Sequence, residues 1–164
     1  MISLRKITAT DGEQIRTWRN SEKVRLSMSD QEPISYQDHQ AWLSTRLEDP
    51  ANIALIAEQS STPVGFMQFS TLNPEVAEWG FYKSPDAGAG IGRAICSEAI
   101  EWAKQHLPVS SIVAKVVSTN AVSLRLHLGI GFELISEETW LRLTGYEKRA
   151  RTHKFFRRSL RGPG

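Results

Sequence analysis

Residues 86–94, Asp-Ala-Gly-Ala-Gly-Ile-Gly-Arg-Ala, constrain the fold more than any other part of the chain. They follow residues 76–83, which read as a strand, and they open residues 91–105, where Ile95, Ala99 and Trp102 recur at helical spacing. Gly88, Gly90 and Gly92 stand at alternate positions, so the backbone can turn tightly and approach a ligand closely. Amides at the start of a helix point outward and carry partial positive charge. A strand, a glycine loop and a helix in that order cradle a phosphate or pyrophosphate. A flexible turn without a ligand is the alternative. The run lacks the Gly-Lys-Ser/Thr ending that serves terminal phosphates and magnesium, and its spacing departs from the dinucleotide fingerprint.

The chain of 164 residues reads as one α+β domain, 1–164, with no repeat, linker or low-complexity tract. No apolar run reaches membrane-spanning length and the first residues lack a secretory core, so a cytoplasmic protein is expected, with no membrane partner. The single cysteine, Cys96, agrees with that compartment and falls within the expected helix as a buried thiol. A net charge of +2 is too small to argue for nucleic acid. Basic residues nevertheless crowd the end of the chain: Lys148, Arg149, Arg151, Lys154, Arg157, Arg158 and Arg161. They read as a solvated edge strand guarded by charge, with contact to an acidic substrate as the alternative. Residues 162–164 read as a frayed end.

Residues 2–7 alternate as a half-buried strand does. Thr10 or Asp11 can cap a helix that turns Ile15 and Trp18 inward, and a short polar helix follows at 22–26. After Pro33, Ser35 and Asp38 suggest a capping box for a helix through Leu47, with Trp42, Leu43 and Leu47 facing inward. Residues 53–58, 64–71 and 75–83 form a strand meander, its first turn the polar 59–63. Residues 111–117 have the β-branched pattern of a central strand. A helix is expected at 120–130, then a strand at 132–143, a turn at Thr144-Gly145, and a last strand from Tyr146 to about Arg157.

The order of strand, glycine loop, helix and apolar strand, followed by Asn120-Ala121-Val122-Ser123 and then Gly131-Phe132, resembles the GCN5-related N-acetyltransferases (GNAT). Gly90 and Gly92 match the family's acetyl-CoA loop, whereas Ala87 stands where that loop has glutamine or arginine. The segment Ile15 to Asn20, then Val24-Arg25, Met28, His39 and Trp42, is similar to the family's nucleotide-sugar acetyltransferases of the pseudaminic acid pathway. Glu78 to Lys83 fits the same subgroup. The resemblance implies a mixed, mostly antiparallel sheet of about seven strands flanked by helices and splayed at the acetyl-CoA site. It implies direct transfer of acetyl from acetyl-CoA to the 4-amino group of a UDP-linked 4-amino-4,6-dideoxy sugar, with no metal. Acetylation of protein N-termini or polyamines, and a non-catalytic acyl-CoA-binding module, are the competing readings. A second copy of the chain is a candidate partner, its presence not set by sequence.

The chemistry of acetyl transfer and the resemblance together nominate residues. Phe81, Tyr82 and Lys83 offer a strand edge to pantetheine, and a backbone N–H there would stabilise the oxyanion. Gly88, Ala89, Gly90, Ile91, Gly92 and Arg93 hold the pyrophosphate, and Asn120 contacts the cofactor unless it serves only as a helix cap. Glu78 is the candidate base for the amine, with a surface carboxylate as the alternative. His127 takes the place of the family's tyrosine and is the candidate acid for the departing thiolate, unless it is a packed helix histidine. Arg19, Arg25, His39, Ser70 and Tyr82 are the candidates for the nucleotide sugar. Trp18 and Trp42 read as core anchors.

Overall fold

The computed structural model describes residues 1–147 and 152–162. Seven strands, β1 Ile2–Lys6, β2 Asn52–Gln59, β3 Thr62–Asn73, β4 Val76–Lys83, β5 Ser111–Val117, β6 Glu133–Ile135 and β7 His153–Ser159, form one mixed sheet in the order β1-β2-β3-β4-β5-β7-β6. The helices are α1 Gly12–Asn20, α2 Glu22–Arg25, α3 Tyr36–Glu48, α4 Ile91–His106, α5 Ala121–Gly129 and α6 Glu137–Thr144. Contacts gather the chain into two compact units, Met1–Phe69 with Gly80–Ala99, and Ser70–Trp79 with Ile100–Gly164. Among the described residues no helix is long and apolar enough to cross a membrane.

In the first unit, β1 runs antiparallel to β2 and its Arg5 organises the entry to the helices. Arg5 forks onto both oxygens of Asp11, at 2.8 and 2.9 Å, and its Nε donates to Glu58 at 3.0 Å. Asp11 also accepts the Thr8 amide at 2.7 Å. Its carboxylate is therefore taken by Arg5 and Thr8 and does not cap α1 through its side chain, contrary to the sequence expectation. The Arg5 hydrogen bonds hold the Asp11 carboxyl below its ordinary range, against the opposing effect of burial. Ser35 caps α3 as expected, accepting from the Asp38 amide at 3.1 Å. Ile15, Trp18, Leu43, Ala54, Ile56 and Phe66 form the core, with Trp42 and Tyr82 against it. Leu47 is instead 43% exposed, because the last turn of α3 extends past this core.

Ser60 and Ser61 both have positive φ, 51° and 66°, in the two-residue turn that joins β2 and β3. Such turns match the twist of the strands they connect, here without the glycine or asparagine that usually supplies that backbone. Gly65 on β3 meets a different constraint. A Cβ there would lie 2.5 Å from Ile95 Cδ1 and 2.9 Å from the Tyr82 carbonyl, so only glycine lets the end of β4 and the start of α4 close on β3.

In the second unit, β5 pairs in parallel with β4 and antiparallel with β7. The β4–β5 ladder joins Val76–Glu78 to Ser111–Val113, and both strands run on beyond it, to Lys83 and Val117. The strand expected at 132–143 is β6 followed by α6. Ser136 accepts the Thr139 amide at 3.1 Å, Glu137 and Glu138 occupy the first turn, and Gly145 at φ 76° ends the helix. Cap, acidic first turn and left-handed glycine outweigh the β-prone residues on either side. Tyr146 and Glu147 accordingly precede the last strand, which begins at His153. That strand is internal, not an edge: β6 covers its second side, with Glu133 opposite Arg157. Of the basic cluster, Lys148, Arg149 and Arg151 lie outside the described residues, as does most of the frayed end. Arg158 donates to the Ile130 carbonyl and Arg161 to the Lys104 and Leu107 carbonyls, so both tie chain segments together.

Two-residue alternation gives this unit two faces. Val76, Val113 and Phe155 meet Trp140 of α6 on one, with Leu72 and Ile135 beside them. Trp79 and Phe156 meet His127 of α5 on the other.

Replacing Gly65 by alanine is expected to cost about 1–3 kcal/mol, the price of overpacking a closed site. A lowered urea midpoint with unchanged slope would show it; an unchanged midpoint would mean that β4 can move aside freely.

Candidate active site

The glycine loop lies in the first unit and is held at its base by Ser84, a buried residue that sequence reading passed over. The Ser84 amide donates to Val64 O at 2.7 Å, its carbonyl accepts Ala87 N at 3.0 Å and its hydroxyl accepts Asp86 N at 3.3 Å. The serine–proline pair at the end of a strand is the signal that could have found it. Lys23 and Lys83 donate to the Pro85 and Gly88 carbonyls at 3.3 and 3.5 Å, placing two cations beside the loop. Gly90 adopts φ 83°, and a Cβ on Gly88 or Gly90 would meet nothing within 4 Å. The backbone therefore stands open above Gly88 and Gly90, immediately before the first turn of α4 at Ile91, Gly92 and Arg93. Open backbone, a helix N-terminus and adjacent lysines suit a pyrophosphate.

The same unit contains four of the five acceptor candidates. Rings follow one another from His39 to Trp42 (5.1 Å), Phe66 (5.8 Å) and Tyr82 (5.1 Å). Burial, with the Arg16 charge, lowers the His39 pKa. Burial raises the Tyr82 phenol, against the Arg19 charge nearby, and the Tyr82 hydroxyl faces the Ile15 carbonyl at 3.4 Å. Arg19 itself is only 9% exposed. Its Nη2 donates to Asp30 O at 2.6 Å, while its buried Nη1 has no hydrogen-bond partner among the described residues. Arg25 is placed differently: its Nη1 reaches the Gln31 carbonyl at 3.3 Å on an exposed loop. Trp18 is buried and Trp42 half-buried, the places of core anchors.

Ser70, Glu78, Asn120 and His127 belong to the second unit. Ser70 is half-buried near the end of β3. Asn120 is the N-cap of α5, its Oδ1 accepting from the Ser123 amide at 3.2 Å. His127 is 2% exposed. Its Nε2 lies 3.1 Å from Trp79 Nε1, and its Nδ1 lies 2.7 Å from the Ser123 carbonyl. Indole can only donate and a carbonyl can only accept, so Nδ1 carries the proton and Nε2 none. The ring is also enclosed by Phe132 and Phe156.

In this geometry His127 is packed against Trp79, Phe132 and Phe156. A neutral ring has no proton on Nε2 to give, and burial lowers its pKa further from the protonated form. Nor does the structure join it to Glu78, whose neighbour in the chain, Trp79, faces α5 while Glu78 meets Tyr146 on the side of α6. Neither Trp79 nor Tyr146 was singled out from sequence. Trp79 carries the Glu-Trp-Gly pattern, but its partner forty-eight positions on is not visible in it. Among the described residues no group of three or more His, Cys, Asp or Glu side chains could hold a metal ion.

The profile of the Acetyltransferase (GNAT) domain matches residues 2–133. Acetyltransferase PseH of Campylobacter jejuni subsp. jejuni serotype O:23/36 (strain 81-176) is 24% identical over 141 residues, which cover 84% of this chain and 88% of that protein. The crystal structure of Campylobacter jejuni N-acetyltransferase PseH in complex with acetyl coenzyme A has a TM-score of 0.71 at 18% identity, covering 97% of this chain and 99% of that one. Spermidine N-acetyltransferase from Vibrio cholerae, in complex with CoA and spermine, has a TM-score of 0.77 at 19% identity, covering 95% and 92%. Both structural likenesses are statements about fold.

A pKa lowered in the folded state makes His127 a source of stability that is full above the unfolded value of 6.5 and lost as pH falls through the folded value. His39 acts in the same window. Stability of the native protein is thus expected to fall below pH 6.5, and His127→Gln should remove part of that slope. An unchanged slope in chemical unfolding from pH 7.5 to 5 would show that His127 titrates alike in the folded and unfolded states.

Proposed function

The chain belongs to the GNAT family of acetyl-CoA-dependent N-acetyltransferases, and on that premise we propose that its acceptor is a UDP-linked 4-amino-4,6-dideoxy sugar, acetylated at the 4-amino group by direct transfer in a ternary complex. The observation that carries the choice of acceptor is Arg19, a buried guanidinium with one nitrogen unpaired among the described residues. A buried donor left without a partner costs about 1–3 kcal/mol, which an anionic oxygen relieves. A diphosphate brings such oxygens. A polyamine brings only cations, which this guanidinium repels. Tyr82, near enough to Arg19 to feel its charge, or His39 would stack on or hydrogen-bond a flat base. Likeness over most of the chain to acetyltransferase PseH agrees with a role in the pseudaminic acid pathway. Ser70 and Arg25 complete the acceptor residues in this reading.

For the donor, the amides of Gly88, Ala89, Gly90, Ile91, Gly92 and Arg93 would hold the pyrophosphate of acetyl-CoA, with Lys23 and Lys83 adding charge. Phe81, Tyr82 and Lys83 would align the pantetheine arm, and a backbone N–H among them would face the thioester carbonyl. Asn120, the N-cap of α5, is the remaining cofactor-contacting residue that the family resemblance supplies. Glu78 accepts the proton that the amine must lose to attack. The leaving thiol has a pKa near that of cysteine, about 8.5, so it departs as a thiolate and takes its proton from solvent without His127. Such chemistry suits the cytoplasm, where acetyl-CoA and nucleotide sugars are made.

An acetyl-CoA consumption assay across a UDP-4-amino sugar, N-terminal peptides and spermidine tests the reading, with turnover expected for the UDP-sugar. Arg19→Lys keeps the charge but loses the forked donor, and should raise KM for the UDP-sugar about tenfold while leaving that for acetyl-CoA within about twofold. Turnover of spermidine alone would replace this acceptor, and equal loss for both substrates would remove Arg19 from its site.

A further inference from the structure

Tyr146 enters none of the assignments above, yet its hydroxyl donates to Glu78 Oε1 at 2.6 Å. That length is typical of a hydrogen bond to a charged oxygen. The phenol is delivered there by a local frame. The buried Thr144 donates its hydroxyl to the Trp140 carbonyl at 2.8 Å and accepts the Tyr146 amide at 3.2 Å. Gly145, at φ 76°, ends α6 with its N–H on the Leu141 carbonyl and turns the chain out of the helix. Asn73, at the end of β3, donates to the Leu143 carbonyl at 2.9 Å and ties down the last turn of α6. The Tyr146 ring stands 6.1 Å from Trp140, and Trp140 packs on Val76, the residue that shares a strand face with Glu78. Burial and the Glu78 carboxylate both raise the phenol above its ordinary range, so it remains a donor at neutral pH.

We propose that Tyr146 is the positioning residue of the acetyl transfer, its hydroxyl holding one oxygen of the Glu78 carboxylate so that Oε2 is aimed to accept the proton of the attacking amine. The inference rests on the reading of Glu78 as the base. A hydrogen bond that fixes one carboxylate oxygen restricts rotation of the other. In the step itself the amine nitrogen bonds to the acetyl carbon, the carbon–sulfur bond breaks, and the amine proton passes to Glu78. Tyr146 keeps its own proton throughout. Its part is orientation, not transfer.

A double-mutant cycle tests this in the intact chain, with acetyl-CoA and the UDP-4-amino sugar, or spermidine if that is the acceptor that turns over. Tyr146→Phe keeps the ring beside Trp140 and removes only the hydroxyl. It is expected to lower kcat about tenfold, with KM for acetyl-CoA within about twofold. Glu78→Gln should lower kcat about a hundredfold, and adding Tyr146→Phe to it should change kcat by less than about twofold. A normal kcat in Tyr146→Phe, beside a slow Glu78→Gln, overturns the inference and leaves the base in place. An equal loss in both backgrounds also overturns it, because the tyrosine would then act without Glu78. A normal kcat in Glu78→Gln removes the base, and the inference with it.

Discussion

The two-residue period of β4 between Val76 and Trp79 is the constraint on which the chemistry of this fold depends. Successive side chains of a strand leave on opposite sides, so two adjacent residues cannot serve one group. Trp79 goes to the aromatic cage of His127, Phe132 and Phe156, and Glu78 to the side of Trp140 and Tyr146. One side is apolar and closed. The other keeps a carboxylate half-buried beside a phenol. Burial decides the difference on the closed side, where it lowers the pKa of the enclosed His127 ring.

Hydrogen-bond accounting separates structural polar groups from available ones in the first unit as well. The Asp11 carboxylate is satisfied by Arg5 and Thr8, and it holds together β1 and the start of α1. Arg19 is as deeply buried but incompletely satisfied. Buried polar groups are nearly always paired, so Arg19 Nη1 stands out among the described residues, together with Gln68 Oε1. The glycine loop shows the complementary device. Ser84 satisfies the backbone at its base, leaving the tip open above Gly88 and Gly90.

Much of this was legible in the sequence. Hydrophobic period and capping residues located β1 to β4, α3 and α4 with small shifts at their ends, because those elements are short-range consequences of local chemistry. Residues 132–143 were misread because apolar and β-prone side chains at both ends masked the Ser136 cap and the paired glutamates between them. The basic residues of β7 suggested an edge, yet β6 covers them through Glu133, a pairing that spans twenty-four positions.

The sequence by itself determined the donor chemistry: a glycine loop between strand and helix, with Asn120 to Phe132 behind it, specifies a cofactor through contiguous backbone and a few fixed spacings. Only the tertiary structure decided which side chains are free to react. It enclosed His127 against Trp79, left Arg19 short of a partner and brought Tyr146 across sixty-eight positions to Glu78. Backbone geometry follows from neighbours along the chain, but burial and long-range hydrogen bonds exist only once the chain has folded.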